Sequence, residues 1–239
     1  SSENTDDLGY NSTSALALNS GTIADAASNN ATLTLPTPGA SNSLKNNKAL
    51  FVDNVAPTML TVTEGSNVSA VANDIDHQST AASLVISWTA SDTGSGIALY
   101  EYALGSTSGG TETVSWTANG TALTDTLTFS GQSLLTETTT YYLSVRATDA
   151  AGNVSAVSTG DGMYIDLTNP VAGAVIDGTT ADINYTASNS SLTFTWSDFS
   201  DGQSGIEYYN ASIEDDDGNS VVAVTNVGTV TTWTVNNLS

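Results

Sequence analysis

The sequence predicts an all-β protein made of tandem β-sandwiches, and three observations predict it. Apolar and polar residues alternate with a period of two, a segment of about 110 residues recurs along the chain, and Gly, Ser and Asn punctuate the apolar runs. Hydrophobic residues make up 39% of the 239, which suits small sandwiches with thin cores.

The repeat is carried by matching segments. Phe51-Val52-Asp53-Asn54-Val55-Ala56-Pro57 returns as Tyr164-Ile165-Asp166-Leu167-Thr168-Asn169-Pro170. Ser83-Leu84-Val85-Ile86-Ser87-Trp88 returns as Ser191-Leu192-Thr193-Phe194-Thr195-Trp196, and Ser95-Gly96-Ile97 as Ser204-Gly205-Ile206. Upstream, Asp25-Ala26-Ala27-Ser28-Asn29 corresponds to Asp149-Ala150-Ala151-Gly152-Asn153. The expected division is a partial sandwich over 1–55, a complete seven-stranded one over 56–168 and a second partial one over 169–239.

In chain order, 22–24 and 49–52 read as the last two strands of a preceding copy. In the whole copy the alternation predicts strands over 59–63, 84–89, 97–104, 113–116, 123–129, 141–148 and 163–166. Leu84, Ile86 and Trp88 fall on one face; Tyr141, Leu143, Val145 and Ala147 point inward, with Tyr142, Ser144 and Arg146 outward. The polar stretch 73–80 reads as a solvated turn holding His77. Aligning Trp196 on Trp88 carries the third unit to Leu238, in the place of Leu135, without counterparts of 141–148 and 163–166. Two readings stay open: a window on a longer array, or strand addition in which the initial segment of one copy completes the third unit of the next.

Trp88, with Leu135 six residues before Tyr141 and the run Tyr141-Tyr142-Leu143-Ser144-Val145-Arg146-Ala147, resembles the fibronectin type III family. The Asp-Ala-Ala-Gly-Asn segment and the Pro-ended linkers resemble the immunoglobulin-like repeats of large bacterial surface proteins and adhesins. The resemblance implies tandem fibronectin type III or Ig-like sandwiches in an extracellular or cell-surface protein. Such sandwiches serve as spacers, binding modules and polymer subunits alike.

Composition narrows the chemistry. A formal charge of −22, with only Lys45, Lys48 and Arg146 basic, argues against a nucleic-acid partner, because phosphate affinity comes mainly from Lys and Arg. The absence of cysteine excludes a disulfide framework, a thiolate metal site and a cysteine nucleophile. No apolar run reaches the roughly 18 to 20 residues a membrane span needs, and Ser1 to Tyr10 lacks the pattern of a signal peptide, so any export signal is expected outside this sequence. His77, the lone histidine, sits in a polar turn, and no carboxylate pair stands out, so no catalytic residue is expected.

Three further features carry two readings each. Glu214-Asp215-Asp216-Asp217-Gly218-Asn219 is a hairpin turn or an acidic calcium loop, the turn being favoured because the loop's alternate ligand spacing is missing. Tyr100, Tyr102, Trp116, Tyr208 and Tyr209 are core aromatics or a sugar-stacking platform. Asn11, Asn30, Asn67, Asn119, Asn153, Asn184, Asn189, Asn210 and Asn237 begin glycosylation sequons, used only in a host with that machinery.

The metal expectation concerns the junctions between units. An up-and-down strand trace brings Asp53, Asp92 and Asp149 together at the first, and Asp166, Asp198 and Asp201 at the second, with Asp74, Asp76 and Glu137 approaching the second from the other pole. Convergent carboxylates with Arg146 as the only nearby cation would either hold calcium or cap turns through their own backbone. The functional expectation is a non-catalytic stalk, spacer or adhesion segment, with self-association, an unidentified receptor or a glycan as partner. The alternatives are a filament or surface-layer subunit and a carbohydrate-binding module of a secreted hydrolase.

Overall fold

The computed structural model describes residues 4–5, 8–47, 50–65, 74–183, 185–188 and 190–236. Among them the chain is all-β apart from one helical turn, α1 (Leu44–Asn47), and a short 3-10 turn. Ser43 caps α1, its hydroxyl accepting from the Asn46 N–H at 3.2 Å. The strands are β1 (Asn4–Thr5), β2 (Val52–Asp53), β3 (Thr58–Glu64), β4 (His77–Gln78), β5 (Ser83–Ser91), β6 (Ile97–Gly105), β7 (Val114–Ala118) and β8 (Thr124–Thr128). They continue with β9 (Thr140–Asp149), β10 (Ser158–Thr159), β11 (Met163–Ile165), β12 (Ala174–Asp177), β13 (Ser191–Ser197), β14 (Asn210–Glu214), β15 (Ser220–Asn226) and β16 (Thr232–Asn236).

Two compact units divide the chain: Ser1–Asp76, Leu84–Thr128 and Tyr141–Met163 form the first; His77–Ser83, Phe129–Thr140 and Tyr164–Ser239 the second. In the first, β3, β5 and β8 make one antiparallel sheet, while β6 pairs with β7 and β9, and β10 adds to β9. The predicted alternation explains what faces inward. Leu84, Ile86 and Trp88 of β5 are buried, and so are Tyr141, Leu143, Val145 and Ala147 of β9. The Trp88 ring lies 5.9 Å from that of Tyr100 and 5.8 Å from that of Tyr102 on β6, so one aromatic cluster joins the two sheets.

Ser144 departs from its expected outward place. It is fully buried because β6 flanks it on one side and β10 on the other, and its hydroxyl bonds that of Thr159 at 3.1 Å. Arg146 does stay at the surface, where it pairs with Glu101 at 2.8 Å and stacks 4.4 Å over Trp116. In the initial segment, the strand expected over 22–24 is reduced to one bridge, Ala24 with Asn30. Of the strand expected over 49–52, Ala49 lies outside the described residues, while Val52 pairs with Thr5.

In the second unit His77 is not in a solvated turn: β4 pairs in parallel with β11, His77 opposite Tyr164. There β12, β13 and β16 form one antiparallel sheet, and β14 and β15 form a hairpin. This repeats the pairing of β3, β5 and β8 and of β6 with β7. Leu238, expected as the counterpart of Leu135, lies outside the described residues. Only Trp196 and Val235 are buried among the apolar residues of 170–236, against a full row on β5 and β9. A groove of about 330 Å³ opens beside Trp196, lined by Val175, Phe194, Phe199, Tyr209 and Trp233.

The aromatic cluster sets the stability of the first unit. Trp88→Ala is expected to cost about 3–5 kcal/mol, whereas truncating Leu60, 60% exposed on β3, to Ala should shift the urea midpoint little. Comparable losses for the two would show that Trp88 is not a core anchor.

Candidate functional site

With almost no basic side chains at hand, the carboxylates take their hydrogen bonds from backbone amides. Asp149 accepts from the N–H groups of Ala151 (2.9 Å) and Asn153 (2.8 Å) and from the Asn153 side-chain amide (2.7 Å). Asp25 makes the same three bonds with Ala27 and Asn29, and Asp215 with Asp217 and Asn219. The acidic run around Asp215 is therefore the turn of the β14–β15 hairpin, with Gly218 at φ +81°. Bonds from Asn29 and Asn219 hold the Asp25 and Asp215 carboxyls below their usual range.

A second device recurs at the two linker aspartates. Asp53 accepts from the Ser95 N–H at 2.6 Å, and Asp166 from the Ser204 N–H at 3.1 Å and its hydroxyl at 2.6 Å. Within each partner loop another aspartate turns the chain: Asp92 accepts from Gly94 and Gly96, and Asp201 from Gln203, Ser204 and Gly205. Bonds from Ser95 and from Ser204 lower the Asp53 and Asp166 pKa values. The loop comes so close that a Cβ at Gly94 would meet the Asp53 carboxyl at 2.3 Å.

Asp53, Asp92 and Asp149 come together, each offering an oxygen within 4.8 Å of the others. Asp166, Asp198 and Asp201 form no such group among the described residues; Asp198 instead accepts from the Ser197 hydroxyl at 2.8 Å. Glu137 does reach Asp166's surroundings: it accepts from the Thr168 hydroxyl and from Gln203 at 3.1 Å, and these bonds lower its pKa. Asp74 goes elsewhere, with Glu64 and Asp161, whose oxygens also lie within 4.8 Å of one another.

Glu64 escaped the sequence reading. It closes β3 opposite Ile86, and Val62 stands opposite Trp88, so the carboxylate lies on the inward face. A charged residue in the apolar phase of a strand was the available signal. Glu64 is 1% exposed; Oε1 accepts from the Leu143 N–H at 2.8 Å, and no donor among the described residues reaches Oε2. Burial first, then Asp74 and Asp161, push its pKa up to about 7, and burial also raises that of Asp74.

The aromatics separate by place. Tyr100 and Tyr102 are core residues, the Tyr102 hydroxyl donating to Asp125 at 2.8 Å, and Tyr209 packs edge-on against Trp196. Trp116 carries Arg146, and Tyr208 is exposed. Among the sequons, Asn119 and Asn153 donate their side-chain amides within the chain, to Ala122 and Thr124 and to Asp53 and Asp149. Asn67, Asn184, Asn189 and Asn237 lie outside the described residues.

No family model and no curated protein matches the chain. Among solved structures, that of chicken CNTN1 FN1-FN3 domains is similar at 15% identity and a TM-score of 0.39, over 79% of this chain and 58% of that one. Among the described residues no helix is long and apolar enough to cross a membrane.

Two measurements follow from this geometry. Asp149, 2% exposed, leaves the part-buried amides of Ala151 and Asn153 without an acceptor when truncated, so Asp149→Ala should cost about 1–3 kcal/mol. Asp25→Ala, which removes the same bonds in solvent, should leave the urea midpoint nearly unchanged. In chelator, Glu64 binds a proton more tightly folded than unfolded, so stability should fall as pH rises from about 4.5 to about 7 and then level. Glu64→Gln should flatten that slope; an unaltered slope would assign it to another group.

Proposed function

We propose that the chain is a non-catalytic structural segment of a large extracellular or cell-surface protein, a stalk, spacer or adhesion element of tandem fibronectin type III or Ig-like sandwiches. The proposed division is 1–55, 56–168 and 169–239. The observation that carries the reading is the repeated aspartate–serine clamp, Asp53 on Ser95 and Asp166 on Ser204. Each clamp fastens the residues just before a linker proline, Pro57 or Pro170, to a loop that follows it in the next repeat. Fixing a linker by hydrogen bonds as well as by the restricted φ of proline limits bending, which is what a spacer requires.

Calcium at the first border is part of this reading, and the convergence of Asp53, Asp92 and Asp149 supports it. A cation would relieve their mutual repulsion and stiffen the same linker. A second reading, assembly by strand addition, is favoured by the groove of about 330 Å³ beside Trp196, whose lining by Val175, Phe194, Phe199 and Trp233 offers apolar surface to an added strand.

Small-angle scattering tests the spacer. The Asp53→Ala, Asp166→Ala double variant is expected to scatter as a broader ensemble than the wild-type chain. Identical curves would remove the clamps, and with them the support for a spacer. Mass that grows with concentration, and that Trp233→Asp abolishes, would favour the strand-addition reading instead.

A further inference from the structure

We infer that Glu64, Asp74 and Asp161 form a binding site for a hard divalent cation of calcium's size, apart from the linker aspartates and independent of the spacer reading. The argument starts from the orphaned oxygen. Glu64 is 1% exposed and its Oε2 has no donor among the described residues, although Oε1 is satisfied by Leu143. A buried carboxylate oxygen without a partner is costly, and native proteins give such groups a hydrogen bond, a proton or a metal.

The surroundings select the metal. Oε2 lies over Gly160, where a Cβ would stand only 2.1 Å away, and Gly160 directly precedes Asp161. Any larger residue at 160 would displace the carboxylate from this position. The neighbours that approach are carboxylates rather than donors: Asp74 and Asp161 each bring an oxygen to within 4.8 Å of the Glu64 group. Two oxygens on one calcium ion, each at about 2.3–2.6 Å, stand at most about 5 Å apart, so this spacing fits a shared ion. An all-oxygen ligand set without His or Cys suits a hard cation rather than zinc. Asp74 is already oriented, since one of its oxygens accepts from the Glu64 N–H at 2.9 Å. Asp74 and Asp161 are exposed, which leaves the remaining coordination positions to water.

The site would tie the end of β3 to the segment between β10 and β11. Its ligands come from positions far apart in sequence, Glu64 and Asp74 before β5 and Asp161 after β9, so an ion there closes a long loop of the first unit.

Calorimetric titration of the chelator-stripped full chain with calcium chloride tests this. Glu64→Gln keeps the acceptor for Leu143, and Asp161→Asn changes an exposed residue, so neither threatens folding. Each is expected to lose one equivalent of bound calcium, or to weaken it by more than about tenfold, while Asp92→Asn retains that equivalent. Isotherms of Glu64→Gln and Asp161→Asn that coincide with wild type would overturn the site, as would a wild-type chain that binds no calcium, leaving a proton on Glu64 as the partner of Oε2. Neither result touches the aspartate–serine clamps that the scattering experiment addresses.

Discussion

A carboxylate that accepts two or three backbone N–H groups fixes the path of the chain around it, and this bond organises most of what is irregular in the protein. The composition makes it so. With 25 acidic residues against three basic ones, ion pairs are not available in number, and Arg146–Glu101 is the one salt bridge among the described residues. The acids are instead placed where the backbone has donors to spare, at turns and linkers. Asp25, Asp149 and Asp215 each close an Asp-to-Asn loop in the same way, and Asp53 and Asp166 each capture a serine about 40 residues further on. At Asp25, Asp53, Asp166 and Asp215 such bonds favour the ionised form, so these four hold their turns across the neutral pH range without a counter-ion.

Glu64 is the exception that shows the rule. It sits on a strand, where the amides are already paired within the sheet, and among the described residues Leu143 donates to one oxygen of its carboxylate while no donor reaches the other. Its second oxygen faces a glycine and two other carboxylates. Where the linker acids are drawn down in pKa by their donors, Glu64 is driven up by burial, to about 7. The same residue type thus plays opposite electrostatic parts, and the difference lies in whether the backbone nearby has an unpaired N–H to give.

The regular elements were legible because they rest on periodicity. The alternation through Leu84, Ile86 and Trp88, and through Tyr141 to Ala147, is a direct image of which side chains meet the core, and each of those residues is buried. Ser144 was misplaced because alternation assigns faces but does not say which stretches of a sheet are flanked on both sides. His77 was misread because a two-residue parallel pairing with Tyr164 leaves no periodic trace. The convergence of Asp53, Asp92 and Asp149 could be reached through topology, since their loops share a pole of the sandwich. Glu64 with Asp161 could not, because that contact depends on Gly160 allowing the carboxylate to approach, a matter of shape that a sequence pattern does not express.

The two Trp-centred clusters differ in how much apolar surface they bury. Trp88 and Trp196 occupy the same register of the repeat, each central to a three-stranded sheet. Around Trp88 the buried row of β9 completes the core, and tyrosine rings contact the indole from β6. Around Trp196 the same sheet and hairpin are present, yet Val175 is 60% exposed and a groove of about 330 Å³ remains beside the ring. There β12, β13 and β16 satisfy one another's backbone. Apolar burial does not follow from that pairing alone. Burial between sheets is a separate gain, and the aromatic residues lining the groove are the surface on which it would be made.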